Sequence, residues 1–166
     1  MPIQKEQMYH GAALAQIAEH PHFTAINELK IKNLRCKSAF LVNDSTVVYL
    51  KYCSKPKGPS SEYVFNFDMR HRADLAAINN SFDKVYLALV CVEDMLICAP
   101  TYDEFEAILA KREAALGGEE EIFSLLAVIP EGKSFRLYAN KPGKRGVMLA
   151  PVKIISRSRF PDCLFE

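Results

Sequence analysis

Residues 38–53 read SAFLVNDSTVVYLKYC. Two β-rich runs flank Asn43, Asp44 and Ser45, which are turn formers, so the stretch predicts a β-hairpin. The second run carries an ammonium where a strand expects an apolar side chain. Lys51 follows Val47, Val48, Tyr49 and Leu50, and it precedes Tyr52 and Cys53. A two-residue turn at Asp44-Ser45 sets Asn43 opposite Thr46. Counting outward then pairs Val42 with Val47, Phe40 with Tyr49 and Ser38 with Lys51. Side chains alternate along a strand, so these residues are expected on one face, with Ser38 and Tyr49 beside the Lys51 amine in a partly enclosed pocket. An enclosed ammonium needs an anion. Neither hydroxyl is anionic near neutral pH, so a carboxylate such as Glu28 or Glu62, or a ligand phosphate, is expected close by.

Working outward, residues 8–19 (MYHGAALAQIAE) have helical composition, with Leu14 and Ile17 at helical spacing, and Pro21 ends the run. Residues 23–30 (FTAINELK) read as a further turn or two of helix. After the hairpin, residues 55–61 (KPKGPSS) form a loop. Residues 62–68 (EYVFNFD) alternate as a third strand. Residues 69–81 (MRHRADLAAINNS) form a helix capped by Asp68. Residues 84–92 (KVYLALVCV) are apolar nearly throughout and bounded by charge, as in a central strand buried on both faces. The next run, residues 95–100, is MLICAP. Thr101 and Glu104 form a capping box, and Phe105, Ile108, Leu109 and Leu116 make an apolar stripe that ends at Gly117-Gly118. Residues 119–121 (EEE) are solvated. Residues 122–130 and 134–140 flank a turn at Glu131-Gly132 as a late hairpin. Residues 141–146 (KPGKRG) read as a loop, and residues 147–155 as one or two short strands around Pro151. The result is one mixed α/β domain over residues 1–166, with its sheet against helices.

Composition narrows the class. The chain has 166 residues, 49% apolar and 25% charged, as in a globular protein with its own core. No apolar run reaches membrane-spanning length, and the N-terminal residues lack a signal pattern, so a cytoplasmic, non-membrane protein is expected. Five cysteines without a C-x-x-C pair read as buried free thiols. Net charge is +1, yet residues 131–159 hold eight basic residues (Lys133, Arg136, Lys141, Lys144, Arg145, Lys153, Arg157, Arg159) against one acid. Lys30, Lys32, Arg35 and Lys37 form a second run. Basic patches attract polyanions, and lysines also protect sheet edges.

The first half, in the order αβββαβ, resembles the restriction-endonuclease-like fold of the PD-(D/E)XK superfamily. The run VYLKY resembles the strand in which a lysine closes that family's acidic-x-Lys triplet. The resemblance covers residues 8–98, and the wording YHG…SAFLVND…VYLKY is similar to bacterial proteins of that fold. It implies a divalent metal between two carboxylates with the lysine beside them. Here Tyr49 stands where the second acid belongs, and the hairpin count puts Ser38 where the first belongs. Asp44 lies in the turn, at an offset from Lys51 that favours the opposite face.

Other candidates are weaker chemically. His10, His20 and His22 lack fixed metal geometry and read as exposed capping residues. Arg70-His71-Arg72 reads as a solvated basic turn. Cys53 has no histidine tied to it. Residues 140–146 lack the spacing of a phosphate-binding P-loop. Tyr63, Phe65 and Phe67 read as core. The expected function is a nuclease-like, non-catalytic domain that binds nucleic acid or another polyanion through Lys51, Ser38, Tyr49, Lys141, Lys144 and Arg145. No catalytic residue, metal ligand or cofactor is assigned. The alternative is a protein-interaction or assembly module with Lys51 as a structural residue. A third reading is a magnesium-dependent nuclease with relocated acids.

Overall fold

The computed structural model describes residues 1–31 and 34–166, with Leu34 and Arg35 by their backbone alone. Lys32 and the Arg35 side chain, part of the second basic run, lie outside the described residues. The elements are α1 (Lys5–Ala18), β1 (Ile26–Ile31), β2 (Leu34–Val42), β3 (Thr46–Cys53), β4 (Tyr63–Asp68), α2 (Met69–Ser81), β5 (Lys84–Cys91), β6 (Leu96–Cys98), α3 (Tyr102–Leu116), β7 (Ile122–Val128), β8 (Phe135–Lys141) and β9 (Lys144–Ile155), then a short 3₁₀ turn at Asp162–Phe165. Among the described residues no helix is long and apolar enough to cross a membrane.

The strands form two sheets. Sheet 1 has the order β1-β2-β3-β5-β6, and sheet 2 the order β4-β7-β8-β9. In sheet 1 the β3–β5 pair is parallel, and the other neighbours are antiparallel. Sheet 2 is antiparallel throughout.

The apolar run at residues 84–92 behaves as its composition requires. Within β5, Leu87, Leu89 and Cys91 pack into one core, while Ala88 and Val90 pack into another on the opposite face. α1 and the C-terminal turn cover the second face with Ala13, Ile17, Phe160 and Leu164. The first face is covered by Leu75 and Ile78 of α2, by Phe105, Ile108 and Leu109 of α3, and by Phe65, Phe67, Phe123 and Leu137 of sheet 2. Both sheets thus contribute to one core.

The starts of α2 and α3 use local chemistry. The Thr101 hydroxyl accepts from Glu104 N–H (3.1 Å) while Thr101 N–H donates to Glu104 Oε1 (2.9 Å). Gly117, at φ 80°, closes α3 in the left-handed conformation. Asp68 Oδ1 caps α2 by accepting from His71 N–H (2.9 Å).

Four expectations are corrected. Residues 26–31 are strand β1 and not helix: Ile26 to Glu28 pair with Val42 to Phe40, which supplies long-range partners that local propensity does not reveal. Residues 63–68 form β4, but it belongs to sheet 2, so the three successive strands of sheet 1 are β1, β2 and β3. The loop of the β2–β3 hairpin has three residues, Asn43 to Ser45, where two were counted. Asn43 and Asp44 have φ of 51° and 58°, and Ser45 N–H donates to Val42 O (3.2 Å). Val42 therefore pairs with Thr46, and Ala39 with Tyr49. This shift of register turns Ser38 away from the Tyr49 face. Asn43 holds the corner: its Oδ1 accepts from Thr24 N–H (2.7 Å) and Ala25 N–H (3.2 Å), and its Nδ2 donates to the His22 carbonyl (2.7 Å). Finally, residues 141–155 are no loop followed by short strands. β8 runs to Lys141, the chain turns at Pro142 and Gly143 (φ 69°), and β9 is one strand of 12 residues.

Candidate functional site

Lys51 lies near the end of β3, beyond the last β2 partner of that strand. β2 pairs with β3 as far as Ala39–Tyr49, whereas β5 accompanies β3 to Cys53. The Lys51 side chain turns toward sheet 2. Its ammonium donates to the backbone carbonyl of Asn66 in β4 and lies 4.4 Å from the centroid of the Phe67 ring. The side chain thus straps β3 of one sheet to the outer strand of the other.

The Lys51 ammonium and four titratable side chains act on one another through their fields. Glu6 and His10 come from α1. Asp68 and His71 come from the β4–α2 junction. Burial lowers the Lys51 pKa, and the fields of the Asp68 and Glu6 carboxylates oppose that shift. Burial lowers the His10 pKa, against Glu6 and assisted by Lys51. His71 is lowered by burial and then by Lys51. The Asp68 carboxyl is held below its ordinary value, chiefly by the His71 N–H. No carboxylate lies within ion-pair distance of the Lys51 amine among the described residues. Nor does any group of three or more His, Cys, Asp or Glu side chains among them have metal-binding geometry.

The residues expected around Lys51 are distributed differently. Tyr49 is 2% exposed and belongs to the core, where burial raises its hydroxyl pKa far above the ordinary value. Ser38 is half-buried, and the register turns it away from Tyr49. The expected carboxylates are also displaced. Glu62 is buried under sheet 2 and accepts from the Tyr138 hydroxyl, while Glu28 is exposed on β1. The anions that act on Lys51 are Asp68 and Glu6. Sequence reasoning recognised Asp68 only as a cap and passed over Glu6. It read His10 as exposed, yet His10 is 7% exposed. The available signal was the i, i+4 spacing of Glu6 and His10, which puts them on one helix face.

The basic residues 141–145 form a second candidate site. Lys141, Lys144 and Arg145 are exposed at the β8–β9 turn, and none is in an ion pair among the described residues. The rest of that basic segment is partly committed. Arg159 pairs with Glu104 (2.5 Å), and Arg157 donates to the carbonyls of Lys133 (2.6 Å) and Pro130 (2.9 Å). Lys133 and Arg157 are exposed at the opposite end of the β8–β9 ribbon. At about 3.4 Å per residue, the seven residues of β8 separate the two basic ends by roughly 20 Å. Comparison of the chain with protein-family models, curated proteins and solved structures finds no match.

Proposed function

We propose that this is a nuclease-like, non-catalytic domain that binds nucleic acid or another polyanion along the β8–β9 ribbon. The observation that carries the reading is the set of exposed cations without carboxylate partners, Lys141, Lys144 and Arg145, in a segment with eight basic residues and one acid. Unpaired surface cations exchange their counterions for phosphates at little cost in lost ion pairs. The nuclease-like part of the reading is supported by sheet 1, where an antiparallel β1-β2-β3 meander is followed, after β4 of sheet 2 and α2, by β5 parallel to β3. Lys51 holds the place of that fold's strand lysine. Tyr49 occupies the acid position two residues earlier and is packed in the core, which favours a non-catalytic role.

A protein-interaction role has its own support, because β9 is an outer strand with Val147, Met148 and Ile154 exposed. A salt titration of binding to duplex DNA, single-stranded RNA and heparin separates the two readings. Polyanion binding predicts a negative slope of log K against log salt, made shallower by about 2 in the Lys144→Glu/Arg145→Glu variant on duplex DNA. A slope the same in both proteins, or no binding at low salt, overturns the reading. Magnesium- or manganese-dependent cleavage in the same tubes would revive a catalytic site with relocated acids.

A further inference from the structure

A cavity of 420 Å³ lies between the first turns of α1 and strand β2, apart from the β8–β9 ribbon. That volume is within the range of small-molecule sites. Its lining combines an apolar body, from Leu14, Phe40 and the bare backbone of Gly11, with one carboxylate, Glu6, and one ammonium, Lys37. The two charges come from different elements, Glu6 from α1 and Lys37 from β2.

Among the described residues neither charge has a Lys, Arg, Asp or Glu ion-pair partner. Lys37 is exposed and makes no ion pair among the described residues. Among the described residues the ion-pair neighbour of Glu6 is His10 Nδ1 at 3.5 Å, and burial favours the neutral form of that imidazole. The His10 side chain is only 9% exposed, and among the described residues its Nε2 has no hydrogen-bond partner. A buried nitrogen left bare is costly. A leucine would fill the same helix position without that cost, so packing alone does not account for an imidazole behind Glu6. Gly11 is the other departure from helix chemistry. A glycine inside a helix destabilises it relative to alanine. Here a Cβ would meet nothing within 4 Å, so no close approach requires the glycine, and its absent side chain leaves the cavity open.

A ligand that answers all three features carries an ammonium for Glu6, a carboxylate for Lys37 and an apolar body for Leu14 and Phe40. We propose that this cavity binds a free α-amino acid with an apolar side chain. The ammonium pairs with Glu6, beside His10, and the carboxylate pairs with Lys37. The ligand side chain lies over Gly11 against Phe40.

The test uses the full chain and a panel of free amino acids, read by thermal shift and calorimetry. Leucine, isoleucine, methionine or phenylalanine should raise Tm saturably at millimolar concentration. Leucinamide, which lacks the carboxylate, and 4-methylpentanoate, which lacks the amine, should not. Gly11→Leu should fold, because its side chain enters open space, and should abolish binding by filling the cavity. Glu6→Gln and Lys37→Met should each weaken binding about tenfold or more. The proposal is overturned if no amino acid shifts Tm or releases heat. It is equally overturned if Gly11→Leu binds with unchanged Kd, or if the two truncated analogues bind as well as leucine.

Discussion

Lys51 lies half-buried at the seam between the two sheets, whereas Lys144 lies exposed at the tip of the β8–β9 ribbon. The two side chains carry the same group in opposite surroundings. At the seam, the ammonium has lost much of its water and takes fixed partners, the Asn66 carbonyl and the Phe67 face. A charge held that way is part of the architecture, because removing it leaves its partner unsatisfied. At the ribbon tip, the ammonium keeps its water and has no carboxylate partner among the described residues, so a diffusing anion can recruit it. Burial, more than residue type, decides whether a lysine is structure or surface chemistry.

The comparison is best broken first by packing. Leu89→Ala in β5, where the side chain is fully buried, should cost about 2–5 kcal/mol in urea unfolding. Met148→Ala on β9, already 39% exposed, should stay within about 0.5 kcal/mol. Amide exchange should follow the same order, slowest in β5 and faster in β9. Equal costs at the two sites would mean that β9 is as enclosed as β5.

The two lysines should separate next. Lys51→Met should cost about 1.5–3 kcal/mol, the scale of a hydrogen bond to a charged group, and leave polyanion affinity within about twofold. Lys144→Glu/Arg145→Glu should do the reverse, with stability within about 0.5 kcal/mol and affinity reduced about tenfold or more. Loss of polyanion binding in a fully stable Lys51→Met protein would move the binding site to the seam.

The smallest effect is expected from pH. The folded-state pKa values of His10 and His71 lie below the ordinary 6.5, so protons favour the unfolded chain. Their neutral forms support the fold fully above about pH 6.5, and that support is lost as pH falls through the lowered folded pKa values. Urea unfolding at stepwise lower pH should show this decline, and His10→Gln should make it shallower. A wild-type profile that is flat from neutral to mildly acidic pH would show that these imidazoles are not buried as described.

Features that depend on neighbours in the chain were readable before any fold was known. The Thr101–Glu104 capping box and the Asp68 cap need only a spacing of three residues. The double-sided burial of β5 is carried by an unbroken apolar run bounded by charge. What needed the tertiary structure were the features that depend on partners far along the chain. β1 carries Ile26, Leu29 and Ile31, a spacing that suits either a helix or a strand, and pairing with β2 decides it. The hairpin register turned on whether the loop held two residues or three, and the positive-φ pair Asn43-Asp44, with the hydrogen bonds between Asn43 and residues 22–25, decides that. Lys51 announced itself in the sequence as an ammonium out of place. Its answer, a carbonyl and a ring from β4 with the fields of Asp68 and Glu6 behind them, is assembled only by folding. Local rules act over one turn of helix or one step of strand, while the surroundings of a buried charge are set by whichever elements the core brings together.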